Sequence, residues 1–202
     1  MAKPVFIGRM EFHESIVAIA AGVGLSAAAG LRVFVPLFIA SLAIQFGYLE
    51  VNESFAWLGH WTATVALGTA ALLEVGVYYI PWLDNVLDTI ATPAAIIAGT
   101  AATAAVLPEL GPALEWVIAI LVGGGSAGVV QGASVLARGT STAGSGGLGN
   151  PVVSTGELGG SVGISLLAVF LPILALIIVA VLLFFVIRLF LRLFRRRRVS
   201  PA

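Results

Sequence analysis

The chain has 202 residues, of which 59% are hydrophobic and only 10% charged, against roughly 25% charged in ordinary soluble domains. Together with a mean hydropathy of +1.09, this excludes an ordinary soluble domain and leaves room for about five membrane spans of roughly 20 residues each. Ten basic residues balance ten acidic ones and there is no Cys, which excludes disulfides, thiolate catalysis and Cys-bound metals.

Residues 1–14 are polar and of mixed charge, and read as an N-terminal interfacial segment. Lys3 and Arg9 precede an apolar run, as in a secretory signal. However, Glu11 and Glu14 interrupt the basic region and the apolar sequence continues to Phe46, so the run reads as a retained first span. Residues 15–46 would extend about 48 Å as one helix, beyond a hydrocarbon core of about 30 Å. Gly30, Arg32 and Pro36 interrupt this segment near its middle. A kinked or broken helix is expected, with Arg32 at the break facing protein, water or headgroups.

An acidic connector with Glu50 and Glu53 leads to a second expected span over residues 57–80. Trp57 and Trp61 mark one interface, and Tyr78, Tyr79 and Trp82 the other. Glu74 lies inside this span, so a functional or ion-paired role is expected, with Arg32 and Arg138 as candidate partners. Asp84 and Asp88 are four apart and share a face if helical. Together with Glu74 they form a candidate cation or proton-relay group; the plain alternative is two solvated aspartates. Thr92-Pro93 reads as a helix start, with Thr as N-cap and Pro in the first turn. The segment it opens, 93–107, is short for a span at about 22 Å. Residues 108–112 (Pro-Glu-Leu-Gly-Pro) form a turn. A fourth segment follows over 112–136, carrying a small-residue face from Gly123 to Gly128 suited to close helix packing and a lone amide, Gln131.

Residues 138–157 are the longest polar run, with six Gly and six Ser/Thr. Bare in lipid, its backbone groups would lack partners. It is either a flexible linker or an irregular element whose amides, hydroxyls and Arg138 cradle an anion or line a pore. Ser154-x-x-Glu157 matches a capping box and would open a last helix over 156–195, kinked at Pro172. Six of the ten basic residues fall in the last fifteen: Arg188, Arg192, Arg195, Arg196, Arg197 and Arg198. This tail, 188–202, anchors topology on the cytoplasmic side; Arg192 and Arg195, Arg196, Arg197 and Arg198 are also candidate contacts for anionic lipid headgroups. No nucleophile elbow, zincin motif or phosphate-binding loop occurs, so no enzyme activity, cofactor or nucleic-acid partner is expected.

The sequence therefore reads as all-α: a polytopic helical membrane protein of about five to six membrane segments with broken or re-entrant helices. A single membrane domain covers 15–187, and both chain ends are expected on the cytoplasmic side. Broken helices beside an irregular polar stretch are a common construction of a solute site in the membrane. The leading expectation is a transporter or channel for a small solute or ion, with Arg32, Glu74, Gln131, Arg138, Asn150, Ser154 and Glu157 at the site. Candidate ion ligands are Glu74, Asp84 and Asp88. The alternative is a non-transporting scaffold or lipid-binding protein, a homo-oligomer packed through the glycine face.

Several stretches resemble a known family. They are Gly24-Leu-Ser-Ala-Ala-Ala-Gly-Leu-Arg32 with Pro36-Leu37; Leu73-Glu74; Ile80-Pro81-Trp-Leu-Asp84 with Asp88 and Gly99; Gly146-Gly-Leu-Gly-Asn-Pro-Val-Val-Ser154 with Glu157; and Pro172. Their order and spacing over about residues 22–175 resemble the bacterial integral-membrane family termed domain of unknown function 4126. The resemblance implies a compact multi-span protein of the bacterial inner membrane and supplies no activity. The chain departs from the family pattern where an Asp-Lys pair commonly precedes the Ile-Pro, here Tyr78 and Tyr79, and where an Arg-Pro gives way to Ala95 and Ile96. These departures remove three charges from the polar centre. Recurrence of the polar run in the family favours an ordered element, with 150–157 docked near the break at Arg32 and 139–149 looser.

Overall fold

A computed structural model describes residues 12–80, 83–108 and 110–197. Eight α-helices follow in order: α1 (Phe12–Ala29), α2 (Phe34–Gln45), α3 (Trp61–Val77), α4 (Leu83–Val106), α5 (Pro112–Ile118), α6 (Gly125–Ser145), α7 (Asn150–Phe170) and α8 (Pro172–Arg197). A 3-10 stretch, Glu53–Gly59, precedes α3, and a π-helical turn, Ala119–Gly124, fuses α5 to α6. No strand occurs among the described residues. Four units are long and apolar enough to cross a membrane: Asp88–Val106, Pro112–Ser145, Asn150–Phe170 and Pro172–Arg192; α1, α2 and α3 are shorter apolar helices. Of the expected interfacial segment, residues 1–11 lie outside the described residues, and Phe12 to Glu14 begin α1.

Helix α1 is the central post, packed against α4, α6, α7 and α8. Its small residues make this possible. A side chain on Gly22 would run into Val106 and Thr103 of α4, and one on Gly24 into Ala168 of α7. Ser26 donates to the Gly99 carbonyl (2.6 Å) and pairs with Thr103 Oγ1 (2.7 Å), so the hydroxyl also carries the α1–α4 contact.

The contacts fix helix directions. Gly22 meets Thr103 while Ala29 packs with Ala95, so α1 and α4 are antiparallel. Ser161 donates to the Ala28 carbonyl and Ala168 meets Gly24, so α7 also opposes α1. Two ends of the bundle result. One holds Arg32, Tyr78, Asp88, Arg138 and Glu157. At the other, the Asn52 amides donate to the last carbonyls of α4, at Ala105 (2.9 Å) and Ala104 (2.7 Å). The first described helix starts at the Asn52 end and α8 runs toward the Arg32 end, packing Phe190 over Gly132. The start of α1 and the end of α8 thus lie at opposite ends of the bundle.

Four local expectations are corrected. Pro93 does not open a helix but lies inside α4. Pro93 leaves the Thr89 carbonyl without its helical donor, and one residue earlier the Thr92 hydroxyl donates to the Asp88 carbonyl (3.0 Å). Residues 139–145 are not loose. They are the last turns of α6, and only 146–149 form a turn, where Gly146 (φ 64) and Gly147 (φ 92) take left-handed conformations that favour glycine. The expected helix over 156–195 is two helices. Leu171 (φ −138, ψ 60) breaks the chain, and α8 folds back so that Ala168 and Ala175 both meet Gly24. The first apolar segment breaks as expected, at residues 30–33, but Pro36 is not the cause of a kink. It sits in the first turn of α2, where no intrahelical donor is needed.

Candidate functional site

The break between α1 and α2 turns the chain so that Arg32 points toward α7. Gly30 permits the turn, because a Cβ there would collide with the Ala127 carbonyl and with Val130 on α6. Breaking a helix in an apolar bundle exposes amides at the new N-terminus. Val33 provides no side-chain cap. Glu74 of α3 does it instead, accepting from the amides of Val33 (2.7 Å) and Phe34 (2.9 Å). Among the described residues Glu74 forms no ion pair within 4.0 Å. The expected pairing with Arg32 or Arg138 gives way to a capping role, whose carboxylate also suits the positive end of the helix dipole.

Arg32 and Arg138 are each 1% exposed, so their charges must be met inside the protein. Arg32 Nη1 donates to Glu157 Oε2 (3.0 Å), and Nη2 donates to the carbonyl and hydroxyl of Ser154 (3.0 Å each). Arg138 grips the same carboxylate through Nε (3.1 Å) and Nη2 (2.5 Å), and reaches Asp88 Oδ1 through Nη1 (2.5 Å). Ser134 lies one turn before Arg138 on α6. It donates to Glu157 and accepts from Arg138 Nη2 (3.1 Å). Tyr78 lies among them: both guanidinium carbons stand 4.0 Å from its ring centroid, and its hydroxyl donates to Asp88 Oδ1 (3.3 Å).

The result is a chain of alternating charge, Arg32–Glu157–Arg138–Asp88, drawn from the α1–α2 break and from α7, α6 and α4. Its links are redundant: Glu157 serves two guanidiniums and Arg138 serves two carboxylates. Asp88 also lines a recess of about 320 Å3 with Thr89, Thr92, Val135 and Gly139. The network is therefore reached from the molecular surface beside Pro93.

Of the residues singled out from sequence, Arg32, Asp88, Arg138, Ser154 and Glu157 meet in this network, and Glu74 adjoins it. Of the stretch 150–157, expected to dock at the Arg32 break, Ser154 and Glu157 meet Arg32, but the expected capping box does not form. Ser154 and Glu157 lie inside α7, with their side chains on Arg32 rather than on the first helical amides. Asn150 is elsewhere, donating to Thr142 Oγ1 (3.0 Å) where α6 and α7 join. Gln131 is buried on α6, with no hydrogen-bond partner at Nε2 among the described residues, two turns from Arg138. The side chains of Asp84, Arg195, Arg196, Arg197 and Arg198 lie outside those described; Arg192 is exposed on α8. Sequence reading missed Tyr78 and Ser134. Tyr78 passed for an interfacial aromatic beside Tyr79. Its signal was position, since it follows Glu74 by four residues and so shares its face.

Four apolar helices long enough to cross a membrane, together with a buried ionic network, are consistent with a polytopic helical membrane protein. A family profile, domain of unknown function (DUF4126), matches residues 19–192, and the chain belongs to that family. No curated protein and no solved structure matches it.

Proposed function

We propose that the protein is a small transporter or channel for a small solute or ion, and that the Arg32–Glu157–Arg138–Asp88 network is where the passing species is engaged. The observation that carries this reading is the pair of buried arginines sharing Glu157 at a helix break, next to a recess that reaches Asp88. Burying ions is a poor way to gain stability, since a well-packed apolar replacement is often as stable or more so. Ionisable groups inside membrane helices more often mark a pathway. The redundancy of the links supports exchange. An anionic group entering the recess can replace Asp88 on Arg138 while Glu157 keeps the guanidinium neutralised, and a cation can do the converse at Asp88.

The setting we propose is a bacterial inner membrane. The arginine-rich end of α8 lies at the network end of the bundle, so under the positive-inside rule the recess faces the cytoplasm. Flux of a solute panel into proteoliposomes tests the reading. Asp88→Asn and Arg138→Lys should each lower flux of the transported species at least about tenfold with the fold retained. Absence of flux for every solute and ion tried, with folded protein in the bilayer, sinks it. A second reading is a non-transporting scaffold. It is favoured by one observation: within the network each charge already has a partner. It predicts no flux and a purely structural response to the same substitutions.

A further inference from the structure

The chain Arg32–Glu157–Arg138–Asp88 alternates in sign and ends on a carboxylate. Glu157, inside it, serves two guanidiniums. Asp88 serves one guanidinium and also borders the recess beside Pro93. Its side chain is 11% exposed, against 1% for either arginine, so it is the member of the network that the recess reaches.

Buried charge at this end of the bundle does not balance. The guanidiniums of Arg32 and Arg138 stand with three buried carboxylates, those of Glu74, Asp88 and Glu157, and no other basic side chain is buried among the described residues. The dipole of α2 offsets about half a charge at Glu74. The remaining negative charge is unfavourable inside an apolar bundle, and a single positive charge neutralises it.

The recess decides the sign of what enters. Its walls are Asp88, Thr89, Thr92, Val135 and Gly139, and Asp88 is the one charged residue among them. An entering anion would meet this carboxylate before the Arg138 guanidinium, which is 1% exposed. The Thr92 hydroxyl gives its proton to the Asp88 carbonyl (3.0 Å) and so presents oxygen lone pairs. Position 93, a proline, has no N–H to offer. A carboxylate accepts at about four positions, so Arg138 and Tyr78 do not exhaust Asp88. Carboxylate and hydroxyl oxygens are ligands for hard cations. Among the described residues no three carboxylate, imidazole or thiol side chains gather to hold a metal ion, which sets the site against a divalent ion with its greater demand for charged ligands. At about 30 Å3 per water, the recess of about 320 Å3 has room for on the order of ten waters. A monovalent ion can therefore keep part of its hydration shell and needs few ligands from the protein.

We infer that this recess binds one monovalent alkali cation between the Asp88 carboxylate and the Thr92 hydroxyl. The ion is the next member of the alternating chain. It gives the solute class of the site proposed for transport and rests on that reading for its role, while binding itself requires no flux.

The test is binding of radiolabelled sodium and of radiolabelled rubidium, a stand-in for potassium, to the full chain in detergent, read by scintillation proximity. The wild type should bind at least one of the two saturably, one ion per chain. Asp88→Asn should weaken binding about tenfold or more, as loss of a charged contact does, with Arg138 still neutralised by Glu157. Gly139→Leu fills the recess from α6 and leaves both ligands in place. A Cβ at Gly139 meets nothing within 4 Å, so this variant should lose binding at an unchanged thermal midpoint, and it serves alone if Asp88→Asn does not fold. No saturable binding of either ion by the folded wild type, or undiminished binding in Gly139→Leu, overturns the assignment. So does saturable binding of radiolabelled phosphate that Gly139→Leu removes. Cation binding without any flux leaves this site standing and sinks the transport reading; flux of a solute without cation binding does the reverse.

Discussion

Replacing Glu157 by Gln keeps the shape of the side chain and removes the charge that two buried guanidiniums share. Arg138 still has Asp88 (2.5 Å). Arg32 retains only neutral acceptors, the carbonyls of Leu31 and Ser154 and the Ser154 hydroxyl, along with the Tyr78 ring. One buried charge is therefore orphaned rather than two. Breaking a buried pair by removing one partner costs about 3–5 kcal/mol, and the surviving partners put Glu157→Gln near the lower bound, about 3 kcal/mol. For a chain of this length each kcal/mol moves the midpoint by roughly 2–4 °C, so a fall of about 6–12 °C is expected. The companion variant converts the whole network to apolar residues: Arg32→Met, Asp88→Leu, Arg138→Met and Glu157→Leu. No charge is then left unpaired, and its midpoint should lie at or above that of the single substitution. Thermal unfolding in mild detergent, followed by circular dichroism, measures both. A single variant within about 1 kcal/mol of wild type would refute the reasoning, because Glu157 would then not be the shared counter-ion that the geometry describes.

Three further outcomes follow from the packing. Glu74→Ala should lower stability by about 2–6 kcal/mol, since two buried amides lose their acceptor at about 1–3 kcal/mol each; thermal unfolding checks it, and an unchanged midpoint would mean that α2 is capped otherwise. Tyr78→Phe keeps the ring against both guanidiniums and loses one hydrogen bond, about 1 kcal/mol. Tyr78→Leu should lose about 2 kcal/mol or more beyond that from the desolvated cation–π contacts, so equal midpoints for the two variants would contradict the arrangement. Gly30→Ala forces a Cβ into the Ala127 carbonyl and Val130. Overpacking of this kind costs about 1–3 kcal/mol, visible as a lower midpoint and faster amide exchange at residues 30–33.

The break at Arg32 could be read from the sequence because length and composition forced it: 32 apolar residues cannot lie straight in a bilayer, and Gly30 and an arginine marked where they turn. Glu74 was legible for a similar reason, as a charge inside an apolar run, and Glu157 as the charge that closes the polar run. What those charges do was not legible. Whether a buried carboxylate meets a guanidinium or a pair of amides depends on which helix end lies opposite, and no spacing encodes that. The same gap explains the misread capping box. Ser154 and Glu157 at i and i+3 look alike whether they cap their own helix or face a partner, and only the extension of α7 back to Asn150 separates the two. Thr92-Pro93 misled because the same pair that opens a helix can also lie within one, and α4 runs unbroken through it. The Gly/Ser run misled because its composition resembles a linker while its tertiary packing holds it helical as far as Ser145.

Arg32 is translated 125 residues before the carboxylate that neutralises it. At about 5–20 residues per second, the ribosome delivers Glu157 roughly 6–25 s after Arg32 has emerged, and Glu74 reaches the open end of α2 well before then. Until then, of the described groups that meet Arg32, only the Leu31 carbonyl and the Tyr78 ring are already in the chain.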